Sequence, residues 1–248
     1  MSIDGAPAPA RPRRSLRASD RVYETLREEI VTWRLEPGTL LSEVDHSERL
    51  GVSRTPLREA LRRLVADGLA VPGKGRTLVV SDLSADDVRH LFELREALEP
   101  QAARLAARRG EPRVFAELRE RFDQASALLT DSDPDHLAYY ELVADFDRAT
   151  DEAMDSSYLR HAIDQVRAHA LRARRMSRSN TTRLAQAARE HAVIAEAIAD
   201  GDELLAQQAT AVHLRASYKN ILATLTAPHH RAPGSGDNGV LGDDPAAS

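Results

Sequence analysis

The sequence predicts a mainly α protein in two unequal parts: a small unit of three helices and a hairpin, then a larger antiparallel helical bundle. Three observations carry that expectation. Residues 51–64, Gly-Val-Ser-Arg-Thr-Pro-Leu-Arg-Glu-Ala-Leu-Arg-Arg-Leu, join a turn glycine, a helix start and a basic helix face. Just beyond them, Leu69-Ala70-Val71 and Thr77-Leu78-Val79-Val80 flank a Pro72-Gly73-Lys74-Gly75 turn, the pattern of a β-hairpin. From Ser84 to about Leu225 every segment is amphipathic, and no strand pattern intervenes.

The first helix is expected from about Asp20 to Trp33, because Val22, Leu26 and Ile30 recur at i, i+4, i+8. Pro37-Gly38 breaks it. Ser42-Glu43-Val44-Asp45 has the form of a capping box and opens a short helix ending near Leu50. Val44 and Leu50 then pack on the following helix. Gly51 takes a positive φ at no steric cost. Ser53 or Thr55 caps the third helix, and Pro56 suits its first turn. Leu57, Leu61 and Leu64 form its apolar stripe, while Arg54, Arg58 and Arg62 lie four apart on another face. Taken alone, this is equally an amphipathic surface helix with a solvated charged face. In company with its neighbours it becomes the second helix of a helix-turn-helix, with the hairpin as its wing. The winged helix-turn-helix is expected over residues 19–82. Lys74 and Arg76 give the wing cations for phosphate or the minor groove.

The bundle is expected over residues 84–226. Ser84-Ala85-Asp86-Asp87 is a second capping box, opening a helix that runs to Arg109-Gly110 with Val88, Leu91, Leu94, Leu98 and Ala102 on one face. Pro112 starts the next, with Phe115, Leu118, Phe122 and Leu129 along it. Four more are expected over about Pro134–Met154, Ser157–Met176, Thr181–Ala199 and Glu203–Leu225.

Composition narrows the function. The 248 residues include no cysteine, which excludes disulfides and thiolate chemistry. No apolar run reaches a membrane span and no hydrophobic signal region opens the chain, so a soluble cytoplasmic protein is expected. The net charge of −5 argues against a surface that binds nucleic acid throughout. Residues 1–85 hold 14 cations against 12 anions, and the remainder is acidic. DNA affinity must then come from a few placed arginines and from two copies acting together. Residues 1–18 read as a disordered basic arm through Arg11, Arg13, Arg14 and Arg17, or as a plain mobile tail. Residues 227–248 read as a disordered tail.

The run from Val22 to Ser81 resembles the N-terminal domain of the GntR family of bacterial transcription regulators. The resemblance lies in Leu35-Glu36-Pro37-Gly38, Leu41-Ser42-Glu43, the block from Glu48 to Leu61, and Asp67-Gly68-Leu69. It implies that Arg54 and Arg58 contact a near-palindromic operator, that Ser53 touches phosphate, and that Lys74 and Gly75 approach the minor groove. Thr55, Arg62 and Arg76 complete the candidate DNA-binding set. Val44 stands where some members carry a basic residue.

The second part resembles the FCD type of effector domain of the FadR subfamily. The matching pieces are Leu91 to Pro100, Glu190 to Ile198, Gly201-Asp202 and His213-Leu214. Many such domains hold a divalent metal through an aspartate and three histidines, the last two at the places of His191 and His213. Geometry supports that pair: each lies about eleven residues from Asp202, hence ~16 Å along two antiparallel helices from their shared turn. The first half of the pattern is altered, with Val143 at the aspartate position and Asp147 at the histidine position. Asp147, His191 and His213 would make a two-histidine, one-carboxylate set suited to Zn, Mn, Fe or Ni, with Asp151 a weaker spare. The competing reading is a site that has lost its metal. Arg95 is the candidate effector-binding residue, able to take a carboxylate bidentately. Equally, it makes a helix-surface ion pair with Glu99.

The expected protein is a homodimeric, sequence-specific transcription regulator, a repressor rather than an activator and not an enzyme. Its control is expected from a small acidic metabolite bound in the bundle. A metal-dependent hydrolase and a non-specific architectural DNA-binding protein are the alternatives. No catalytic motif accompanies the histidines.

Overall fold

The computed structural model describes residues 17–75 and 77–227. Arg11, Arg13, Arg14, Arg76 and the tail beyond residue 227 lie outside the described residues.

Helix α1, Ala18–Val31, buries Val22, Tyr23, Leu26 and Ile30. It ends before Trp33, which holds a left-handed φ of 62°. Helix α2, Glu43–Leu50, is capped by Ser42, whose Oγ accepts from the Asp45 amide at 3.3 Å. Gly51 closes α2 with φ 63°, a conformation that favours glycine. Helix α3, Arg54–Ala66, follows at once and buries Leu57, Ala60, Leu61 and Leu64. Ser53 is its N-cap residue by position only, with no side-chain cap bond, so the expected hydroxyl cap is not made. Strands β1, Ala70–Pro72, and β2, Leu78–Val80, pair antiparallel with Val71 opposite Val79. Leu40 adds a bridge to Val79 on the outer edge. Between the strands, a Cβ on Gly73 would lie 2.8 Å from Thr77 Oγ1 and 3.0 Å from Val79 Cγ1, so a side chain there would force Thr77 to shift.

The bundle opens with α4, Ala85–Arg109, whose Ser84–Asp87 capping box is complete in both directions. Helix α5, Pro112–Asp123, stops earlier than expected, and a 3-10 turn, Ala125–Leu128, carries the chain onward. Helix α6, Leu137–Ala153, begins after His136, which has φ 51°. Helices α7, Ser157–Arg175, α8, Thr181–Ala199, and α9, Glu203–Thr226, complete the bundle. Its core places Phe115, Phe122, Tyr139, Leu142 and Phe146 against Leu184, Ile194 and Ile198. Helix α4 packs chiefly on α9, and α5 on α8. The fold is mainly helical, with a winged helix-turn-helix head ahead of an antiparallel bundle. Among the described residues no helix is long and apolar enough to cross a membrane.

Candidate nucleic-acid interface and ligand cavity

On the head, the apolar stripe of α3 fixes which way its arginines face. With Leu57, Leu61 and Leu64 in the core, Arg54, Thr55, Arg58 and Arg62 are exposed, as is Ser53 at the helix start. Arg54 and Arg62 have no ion-pair partner among the described residues. Arg58 donates from Nε to Glu43 Oε2 at 2.8 Å. Lys74 and Gly75 form the exposed wing tip, where Gly75 has φ 74° and open space around it. The start of α3 also turns its free backbone N–H groups and positive dipole end toward solvent, which suits a phosphate. Glu43 was not foreseen as part of this face, although it stands inside one of the sequence blocks that define the head.

In the bundle, helices α4, α6, α7, α8 and α9 enclose a cavity of about 70 Å³. Asp147, His191 and His213 all line it, together with apolar Ile163, Val166, Leu171 and Ile194. His191 stacks on Phe122 with ring centroids 4.9 Å apart, and its ring lies 4.4 Å from that of His213. His191 Nδ1 sits 2.8 Å from the Ala187 carbonyl, and His213 Nδ1 sits 2.7 Å from Glu190 Oε2. A carbonyl and a carboxylate only accept, so both rings carry the proton on Nδ1 and offer a lone pair at Nε2. Burial pushes both imidazoles well below their ordinary range, and His213 and Arg174 beside His191, and Arg183 and Arg174 beside His213, add to this. Both are neutral at pH 7.

Asp147 is not free. Arg174 Nη1 donates to its Oδ2 at 2.6 Å and Nη2 to its Oδ1 at 3.2 Å. Burial raises the Asp147 pKa, but the Arg174 charge and hydrogen bonds outweigh it and hold the carboxyl below its usual range. The expected donors Asp147, His191 and His213 therefore line one cavity, with Asp147 held by Arg174. Among the described residues, no three His, Cys, Asp or Glu side chains are grouped to hold a metal ion. The spare carboxylate, Asp151, is taken by Arg167. Arg95 makes the i, i+4 ion pair that was one of its two readings. Its Nε and Nη2 donate to Glu99 at 2.6 and 3.0 Å, its guanidinium lies over Phe92, and it is 1% exposed. It lines a smaller neighbouring cavity of about 40 Å³, with His191 and His213 at the shared wall. Its fork is thus occupied by Glu99, the ion pair that i, i+4 spacing allowed.

One element joins cavity and head. Ile163, Val166, Arg167, Ala170, Leu171 and Arg174 form a stripe of α7 facing the cavity. Turned toward the head, Ala168 enters the core of α1 and α3, His169 Nε2 lies 2.8 Å from the Asp67 carbonyl, and Arg172 donates to Ser81. Trp33 Nε1 donates to the Arg172 carbonyl at 3.2 Å. Leu171 does both, lining the cavity and packing on the head core. Arg172 is buried with no carboxylate in hydrogen-bond contact among the described residues, and burial lowers its pKa. None of Arg167, Arg172 and Arg174 was foreseen. The only sequence signal was a run of arginines late in a helix, which reads as a solvated face.

A winged head with unpaired arginines on its second helix-turn-helix helix, tied to a bundle around a cavity, defines a two-part transcription regulator. Residues 18–80 match the bacterial regulatory proteins of the gntR family, and residues 90–216 match the FCD domain. The chain belongs to the GntR family, in its FCD-bearing branch. Proteins of this family bind DNA and are not enzymes, and FCD domains bind small-molecule effectors. Among its relatives, the HTH-type transcriptional regulator Mce2R of Mycobacterium tuberculosis is 31% identical over 237 residues, covering 86% of this chain and 95% of that one. The Nta operon transcriptional regulator of Aminobacter aminovorans is 39% identical over 90 residues, which are 36% of this chain and 43% of that protein. The solved structure of E. coli McbR/YncC superposes with a TM-score of 0.69 at 20% identity, covering 81% of this chain and 95% of that one.

Proposed function

We propose that the protein is a homodimeric repressor whose grip on a near-palindromic operator is set by a small organic molecule in the bundle cavity. The observation that carries this reading is α7, a single helix with one face in the cavity and the other on the head. A ligand that favours one seating of α7 over another changes how the head is held, and only such a differential shifts DNA affinity. Dimerisation follows from the modest charge of the head: three arginines and a wing lysine give one head weak binding, and two heads in successive major grooves add. Arg54 and Arg58 read base edges, with Ser53, Thr55, Arg62 and Lys74 on the backbone. Repression follows because two docked heads exclude other proteins from that stretch of DNA.

The ligand has an apolar body, matching Ile163, Val166, Leu171 and Ile194. The charge pairing around the cavity favours an uncharged polar head over the acidic one expected from Arg95. Each nearby guanidinium already faces a carboxylate: Arg95 with Glu99, Arg167 with Asp151, Arg174 with Asp147, Arg183 with Glu190.

Selection of bound duplexes from a random pool, followed by anisotropy titration, tests the DNA half. Enrichment of a short inverted repeat is expected, with Arg54→Ala or Arg58→Ala each losing about 1–3 kcal/mol and relaxing preference at one base pair. Equal affinity of Arg58→Ala and wild type would remove the recognition role, and enrichment of no sequence would make the protein architectural.

A further inference from the structure

We propose that Arg174 is a tethered replacement for a metal ion, so that this cavity is built to work without one. The inference rests on the reading of the cavity as the effector site, and concerns what organises it.

Two imidazole lone pairs and one carboxylate on a shared cavity are the donors of a two-histidine, one-carboxylate centre. What such a centre needs between them is a cation. Here the cation beside them is the Arg174 guanidinium, which takes both oxygens of Asp147 at 2.6 and 3.2 Å. It lines both adjoining cavities, as His191 and His213 do. A divalent ion drawing on Asp147 would have to break this two-bond fork. It would then sit beside a buried positive charge that cannot be shed, since a guanidinium stays protonated. The surrounding charges point the same way. Arg95, Arg167, Arg174 and Arg183 each face a carboxylate, and the two imidazoles are neutral. Two further positive charges would have no counterion within the cavity.

The departure at Val143 fits this arrangement. The carboxylate expected there is replaced by a core valine, 3% exposed and packed in the main cluster. One carboxylate remains, and one guanidinium neutralises it. What is left facing a ligand is a pair of imidazole lone pairs and the buried hydroxyl of Thr150, which has no hydrogen-bond partner among the described residues. These are hydrogen-bonding groups of an organic site.

The test uses the full-length, untagged protein and Zn²⁺. Elemental analysis of the wild type as purified should show no stoichiometric metal, and its melting temperature should not move with Zn²⁺ or with a chelator. Arg174→Met releases Asp147, and that variant should take up one Zn²⁺ per chain in a titration. The added His191→Ala change should abolish the uptake. Arg174→Lys keeps a cation beside Asp147 and should stay free of metal, and circular dichroism checks that each variant is folded. One tightly held metal per wild-type chain, lost in His191→Ala, would overturn the proposal. So would an Arg174→Met protein, or a folded substitute such as Arg174→Leu, that takes up no Zn²⁺. Neither result depends on whether the cavity controls DNA binding; that reading fails separately, if no cavity ligand alters operator affinity.

Discussion

His191 and His213 show how a residue type can be read correctly while its state is not. Their level placement on two antiparallel helices was legible from eleven residues on either side of one turn. The partners of their Nδ1 atoms, a main-chain carbonyl and Glu190, were not legible, because a hydrogen bond depends on rotamers rather than on spacing. Those partners decide the chemistry. Both rings have folded-state pKa values well below the ordinary 6.5. The sign follows from linkage: the stability of their neutral burial is complete above 6.5 and is lost as pH falls from there toward the folded values. The melting temperature should therefore drop on going from pH 7 to pH 5. The His191→Gln, His213→Gln double variant should be less stable at neutral pH but flatter across this window, and an equal slope in both proteins would refute the assignment. Asp147 is held below its usual range, so it contributes in a separate and more acid window. Arg54 and Arg58 were easier to foresee, since a leucine stripe fixes which side of a helix faces outward.

Helix α7 carries the weight at the next scale. Its position was legible, with the helix expected over Ser157–Met176 and found over Ser157–Arg175. Its two-faced use was not, because the cavity stripe interrupts Ile163, Val166 and Leu171 with Arg167 and Arg174, and the head-facing stripe of Ala168, His169 and Arg172 lacks the apolar character that marks a core face. Arg172 is the strongest tie on the head side. Its guanidinium donates to the hydroxyl and carbonyl of Ser81, and its own carbonyl receives Trp33. Hydrogen bonds from a charged group are worth about 1.5–3 kcal/mol each. Arg172→Ala should lower unfolding stability by about 2 kcal/mol in chemical denaturation. It should also uncouple the halves: operator affinity remains, but a cavity ligand no longer changes it. A full ligand response in the folded variant would show that α7 is not the link. The helix ends follow a simpler rule. The box at Ser84 closes in both directions because Asp87 reaches back, whereas the side-chain cap expected of Ser53 or Thr55 is not made, and Ser53 is left exposed.

At the scale of the whole molecule, the acidic excess lies in the bundle, whereas residues 1–85 hold 14 cations against 12 anions, and this asymmetry was plain from charge alone. The order of the parts was legible as well, since turn signals and amphipathic periods are local properties. Pairing of charges between helices of the bundle is a long-range property, as in Arg167 with Asp151 and Arg174 with Asp147, and no local pattern announces it. Trp33, the single tryptophan of the chain, stands at the junction of the two parts with its indole N–H on the Arg172 carbonyl. That places one natural fluorophore on the seam between sensor and reader. Ligand entry and operator release can both be followed by the colour and polarisation of its emission in unlabelled protein. A ligand that reseats α7 should shift that emission at the concentration where it changes DNA affinity, and a shift that does not track affinity would separate the two events.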